Sequence, residues 1–266
     1  MKSLLNQLPR VTLLLLAAFL AALAARSWGE TTTLLMVSSI LMFACCLASA
    51  SHLLGTGPAL RFAVIGVVLG WIAEELGATR GWFFGSYTYT EVLGPRIGAV
   101  PFIIPLMWFA LCYVAYVIAN LIVWQAPSDG APSTLQSLVM SFLAAMIVTA
   151  YDLGADPYMV FTLKAWIMTK TDGGWFGETL QGFVGWMAVA FTIIYIFRLT
   201  LRRKQPVAAT AVTPLHALVP LFIYGGSMVF QSLHGSPIET RAIALFAMGI
   251  PLLTALCGWT RWKAAA

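Results

Sequence analysis

Residues 100–124, VPFIIPLMWFALCYVAYVIANLIVW, run for twenty-five positions without one charged side chain. A bilayer's hydrocarbon core is ~30 Å thick and takes about 20 helical residues, so the stretch reads as a membrane-spanning helix. Apolar runs near that length recur at 11–25, 33–54, 60–76, 135–151, 180–197, 215–231 and 242–259. Across the 266 residues, 60% of side chains are hydrophobic and 9% charged, too little polar surface for a soluble domain of this size. The pattern predicts an all-α polytopic membrane helical bundle of about eight transmembrane helices, forming a single integral-membrane domain over 1–266. The first run has a second reading. Lys2 and Arg10 precede a short apolar stretch ending in Ala22, Leu23 and Ala24, the pattern of a cleavable signal peptide. Cleavage would leave seven spans.

Eight spans put both termini on one face, with Lys2, Arg10, Arg61, Arg198, Arg202, Arg203, Lys204, Arg261 and Lys263 against one acid, Asp129. By the positive-inside rule that face is cytoplasmic and the membrane the cell (inner) membrane, which places the remaining acids toward the extracytoplasmic side. The formal charge of +5 owes most to the basic residues 198–204, which suit anionic lipid headgroups; no nucleic-acid footprint is present. Cys45, Cys46, Cys112 and Cys257 lie inside the apolar runs without ligand spacing, and His52, His216 and His234 are scattered. Neither a metal site nor a disulfide framework is expected.

Seven of the ten acidic residues fall in two stretches, Glu74, Glu75 and Glu91, then Asp152, Asp156, Asp172 and Glu178. Only twelve uncharged residues separate Arg61 from Glu74, about 18 Å of helix, well short of the core thickness. A charge at the bilayer centre costs roughly 3 kcal/mol on insertion scales, so an acid held there is expected in a protein-lined cavity or neutral. The plainer alternative is that Glu74 and Glu75 end the helix in water and pair with Arg80. Being adjacent, the two glutamates point about 100° apart and are not expected to share a role. Asp152 and Asp156, spaced i and i+4, share a face if their helix continues that far. Against this, Gly154 argues for a break, and Asp156 before Pro157 is a good N-cap for a following helix. Each acidic helix end leads into an aromatic loop: Gly81-Trp82-Phe83-Phe84-Gly85 followed by Tyr87 and Tyr89, and Gly174-Trp175-Phe176-Gly177. The loops read either as walls of one pocket or as an interfacial aromatic belt.

These residues resemble the membrane carotenoid-biosynthesis hydratases, a family that includes carotenoid 1,2-hydratase and bisanhydrobacterioruberin hydratase. The resemblance runs from about Trp71 to Trp186. Its first block is Glu74-Glu75-Leu76-Gly77, Gly81 through Thr90, Leu93-Gly94-Pro95, Val100-Pro101 and Pro105-Leu106-Met107-Trp108. The second is Asp152-Leu153-Gly154-Ala155-Asp156-Pro157, Trp166, Gly174-Trp175-Phe176-Gly177 and Phe183-Val184-Gly185-Trp186. Gly182 stands where the family has asparagine, and Met168 where a second tryptophan is common.

The resemblance implies addition of water across a terminal isoprenoid double bond of an acyclic or monocyclic carotenoid. Such a reaction needs a proton donor, stabilisation of a tertiary carbocation and a placed water, and no cofactor. On that reading Glu74 and Asp152 form an acid–base pair with Asp156 or Glu75 in support. Trp82, Phe84, Tyr87, Tyr89, Trp108, Trp166, Trp175 and Phe176 line the pocket. Implied partners are the carotenoid, water, membrane lipids and other carotenoid-pathway enzymes. Two alternatives stay open. A membrane carotenoid cyclase would protonate the same alkene and let a neighbouring double bond capture the cation. A transporter or carotenoid-binding protein would use intramembrane acids without chemistry on the lipid. A prenyltransferase is less well matched, since Asp152 and Asp156 are the sole Asp-x-x-x-Asp pair.

Overall fold

The computed structural model describes residues 2–29, 31–128, 132–201 and 214–265. Asp129 and the basic residues Arg202, Arg203 and Lys204 lie outside the described residues, as does the side chain of Lys2. The chain forms an all-α polytopic bundle, and among the described residues seven helices are long and apolar enough to cross a membrane. These are α1 (Lys2–Arg26), α2 (Thr32–Leu53), α3 (Thr56–Arg80), α4 (Ile103–Trp124), α5 (Thr134–Pro157), α6 (Leu180–Leu201) and α9 (Glu239–Ala265). The run expected at 215–231 is divided between a single turn, α7 (Pro214–Ala217), and a 16-residue helix, α8 (Val219–His234). At 1.5 Å per residue α8 rises about 24 Å, shorter than a full span.

The charge-free stretch at 100–124 supplies the axis of the bundle. Of the apolar stretch of α4, 78% is buried, at least twice the share in α2, α3, α6 or α9, because α2, α3, α5, α6, α8 and α9 all pack around it. Helix α3 approaches α4 most intimately, and glycine allows it. A methyl group at Gly70 would stand 2.6 Å from the Cβ of Trp108, so the absence of a side chain there sets the position of the indole. Helix α5 begins with a capping box in which Ser133 and Gln136 satisfy each other's backbone donors.

The expected break at Gly154 does not occur. Helix α5 runs through Gly154 and Pro157 into a π-helical turn, Tyr158–Thr162. Two tertiary contacts outweigh the local signals. Gly154 is pressed against Gln231 of α8, where a Cβ would meet the amide oxygen at 2.4 Å. Pro157 has no N–H to offer the Leu153 carbonyl, and that carbonyl instead accepts from the Trp175 indole at 3.2 Å. Asp152 and Asp156 therefore sit one helical turn apart on one face.

Short strands absent from the sequence reading join the two aromatic loops. Strand β1 (Tyr87–Tyr89) pairs antiparallel with β4 (Trp166–Met168), setting Tyr87 opposite Met168 and Tyr89 opposite Trp166. Between them in sequence, β2 (Arg96–Ile97) and β3 (Val100–Pro101) form a small hairpin. The alternation of strand side chains turns Tyr87 and Tyr89 into the protein and Thr88 outward.

Candidate functional site

Beneath the β1–β4 ribbon, at the end of the bundle where α3 and α5 finish and α4 and α6 begin, lies a cavity of about 120 Å³. Four carboxyl groups from three segments reach its wall: Glu74 from α3, Asp152 and Asp156 from α5, and Glu178 from the loop before α6. Phe84, Tyr87, Tyr89, Trp108, Trp166 and Trp186 supply aromatic faces to the same wall. Away from the loops the lining turns apolar, with Phe19, Leu23, Leu35, Met42, Met107 and Leu111. Met42 lies ten residues inside α2 from Thr32, so the cavity reaches about 15 Å below the helix ends. Arg26, at the end of α1, brings a cation to the wall; it reaches Ser38 Oγ at 3.5 Å and lies 4.8 Å from the Phe230 ring centroid.

Glu74 is 4% exposed and accepts three hydrogen bonds. The Tyr87 hydroxyl donates to Oε2 at 2.5 Å, the Tyr89 hydroxyl to the same oxygen at 2.7 Å, and the Trp108 indole N–H to Oε1 at 2.8 Å. Burial and the Glu74 carboxyl beside them push both phenols well above their ordinary range, which keeps them as O–H donors. A second glycine shapes this cluster: a Cβ at Gly77, one turn beyond Glu74, would lie 2.8 Å from the Tyr87 hydroxyl and 2.9 Å from the Phe84 ring. Beside the Glu74 carboxyl the aromatic rings stack, Trp108 on Trp186 at 4.5 Å and Phe84 on Trp108 at 6.0 Å. Tyr89 meets Trp166 edge to face at 5.9 Å.

The facing wall has a different character. Asp152 is 3% exposed and its Oδ2 has no hydrogen-bond partner among the described residues; Glu178 is 4% exposed and its Oε1 is likewise unpartnered. The Asp156 carboxyl neighbours Glu178 on the same wall. Burial, then the Asp156 carboxyl and the charge of Asp152, push the Glu178 carboxyl up to about 12. Among the described residues no group of three or more His, Cys, Asp or Glu side chains has an arrangement that holds a metal ion.

Of the residues singled out from sequence, the structure brings Glu74, Asp152, Asp156, Phe84, Tyr87, Tyr89, Trp108 and Trp166 to this one cavity. It takes four elsewhere. Glu75 turns to the β2–β3 hairpin, where its Oε2 accepts from the Ala99 N–H at 2.8 Å. Trp82 is 53% exposed on the outside of its loop. Trp175 caps the Leu153 carbonyl and packs on Phe176 at 5.2 Å and Phe183 at 6.1 Å; neither Trp175 nor Phe176 reaches the cavity wall. Glu178, Trp186 and Arg26 are on the wall without having been candidates. Glu178 lay in plain view within the second acidic stretch, but nothing local distinguishes it from Asp172. Only the fold of the loop, with Phe176 and Gly177 both at positive φ, turns it inward.

A family model described as "Carotenoid biosynthesis protein" matches residues 11–251. The chain is 31% identical over 137 residues to the bisanhydrobacterioruberin hydratase of Haloarcula japonica, a match covering 49% of this chain and 43% of that protein. The chain thus spans under half the length of that curated relative. No solved structure matches.

Proposed function

Because the chain belongs to the carotenoid biosynthesis protein family, we propose that it is a hydro-lyase that adds water to the terminal double bond of an acyclic or monocyclic carotenoid. The observation that carries this reading is one cavity holding four carboxyl groups and a set of aromatic faces at the loop end, and apolar side chains deeper in. An extended carotenoid is comparable in length to the bilayer thickness, so its end group meets the protein near the helix ends while its polyene stays among apolar residues. The relative from Haloarcula japonica, named a hydratase, supports the same reaction class.

The reaction proceeds in two bond-forming steps. A carboxyl O–H gives its proton to the less substituted carbon of the terminal alkene, and the π electrons form the new C–H bond, leaving a tertiary carbocation and a carboxylate. The faces of Tyr89, Trp166, Trp108 and Phe84 stabilise that cation electrostatically. A water held among the carboxyl groups then donates a lone pair to the cation and passes a proton to a carboxylate, completing the tertiary alcohol. Glu74 on one wall and the acids of the facing wall, Asp152 among them, divide the roles of acid and base. No redox change occurs, and atoms balance as alkene plus water.

The test is chromatography with mass spectrometry of carotenoids from a bacterial host that makes open-ended carotenoids and expresses this chain, alongside Glu74→Gln and Asp152→Asn. A product heavier by one water, present with the wild type and absent with both correctly inserted variants, is expected. A product of unchanged mass and shifted chromophore would favour a cyclase. Untouched carotenoids from several open-ended substrates would favour binding or transport.

A further inference from the structure

The two walls of the cavity treat their carboxyl groups differently, and the difference divides the labour between them. Building on the hydration reading, we propose that the proton which starts the reaction is held by the Glu178–Asp156 carboxyl pair, and that Glu74 takes the accepting side of the chemistry.

Both oxygens of Glu74 already receive hydrogen bonds, from Tyr87, Tyr89 and Trp108. The indole N–H is a donor only, and Oε2 is engaged by both phenols, so Glu74 has no O–H aimed into the cavity. Across from it the buried Glu178 carboxyl and its neighbour Asp156 share one wall of the cavity, and two neighbouring carboxyl groups sheltered from water are stable only when a proton is held between them. The Oε1 of Glu178 and Oδ2 of Asp152 are buried without a hydrogen-bond partner among the described residues, so full ionisation of the carboxyl groups there is costly. The groups that share the cavity with Glu178 are Asp152 and Asp156 from α5, Tyr151 from the same helix, Glu74 from α3, Tyr87 and Tyr89 from β1, and Arg26 from α1. Three of them are acids and one is a base. Glu178 also stands outside the membrane-spanning helices, two residues before Leu180, at the loop end of the cavity.

In this cycle Glu178 O–H breaks as the alkene C–H forms. The water that captures the cation loses its proton toward Glu74, and that proton returns to Glu178 through solvent at the loop end. The net change is one water added to one double bond.

The experiment compares wild type, Glu178→Gln, Glu178→Asp and Asp156→Asn in the carotenoid-producing host, and reads the un-ionised carboxyl stretch of the purified proteins by infrared spectroscopy across pH. Expected are a fall in hydration rate on the order of 10²–10⁴-fold for Glu178→Gln, partial recovery with aspartate, and loss of an un-ionised carboxyl signal that persists above neutral pH in the wild type. A wild type that hydrates and a Glu178→Gln variant that keeps more than half its rate would overturn the assignment while leaving the hydration reading intact. If the wild type adds water to nothing, the hydration reading falls, and an infrared signal unchanged by both Glu178→Gln and Asp156→Asn would overturn the shared proton as well. Infrared measurement of the wild type alone keeps the proposal testable should Glu178→Gln fail to fold: a carboxyl signal that vanishes below neutral pH refutes it.

Discussion

Replacing Glu74 with leucine or with glutamine separates the structural role of its three hydrogen bonds from its chemical role. Leucine fills the volume but strands the Tyr87 hydroxyl, the Tyr89 hydroxyl and the Trp108 N–H, all buried. At about 1–3 kcal/mol for each unsatisfied buried donor the loss is about 3–9 kcal/mol. Measured side-chain hydrogen bonds within membranes average nearer ~0.6 kcal/mol, which sets a floor of about 2 kcal/mol for three. Glutamine behaves otherwise. Its carbonyl can accept from Trp108 while its amide donates to phenol oxygens whose hydroxyls rotate to accept, so the loss is the charge-assisted share of those bonds, about 1 kcal/mol. Thermal unfolding in detergent, followed with a thiol-reactive fluorophore, suits this protein, since Cys45, Cys46 and Cys112 are buried and Cys257 alone gives the folded-state signal among the described residues. Glu74→Leu should unfold well below the wild type and Glu74→Gln close to it, although neither should form product. Equal stability of the leucine variant and the wild type would refute the hydrogen-bond account, as would a glutamine variant that falls as far as leucine.

Gly70→Ala should displace the Trp108 indole, cost about 1–3 kcal/mol of stability and abolish product, as read by unfolding and carotenoid analysis together. The raised Glu178 carboxyl predicts that stability falls as pH rises. Below the ordinary value of 4.5 both folded and unfolded states carry the proton, whereas between there and about 12 only the folded state does. The slope is about 1.4 kcal/mol per pH unit for one proton, and Glu178→Gln should flatten it in unfolding scans from pH 5 to 8. Trp175→Phe, which leaves the Leu153 carbonyl without its donor, should lose about 1 kcal/mol and keep most of its activity. Trp82→Ala, on the exposed side of its loop, should match the wild type in stability and product.

The membrane bundle and the sequence position of the acids follow from hydropathy and spacing alone, because a span is a local property of some twenty consecutive residues. The shared face of Asp152 and Asp156 was equally legible as an i, i+4 pair, conditional on an unbroken helix. What local reasoning missed depends on partners far along the chain. Gly154 and Pro157 look like a helix end until Gln231 and Trp175 are known to occupy the space and the carbonyl they leave. Trp82 and Phe84 are equivalent in composition, yet the turn through Phe83 at φ 60° sends Phe84 inward, 5% exposed, and leaves Trp82 outside. Glu74 and Glu75 divide as adjacent helical positions must, one to the cavity and the other to the hairpin.

The β1–β4 ribbon also bears on biogenesis. Tyr87 and Tyr89 are synthesised some eighty residues before the strand they pair with, and α4 and α5 must both cross the bilayer before Trp166 reaches the same side. Chains emerge from the ribosome N-terminal end first. During that interval Glu74 has its α4 partner Trp108 but no strand holding its two phenols in register. A nascent chain halted before β4 is therefore an assembly intermediate with an open, acid-bearing cleft, and insertion of the fifth helix is the event that closes it.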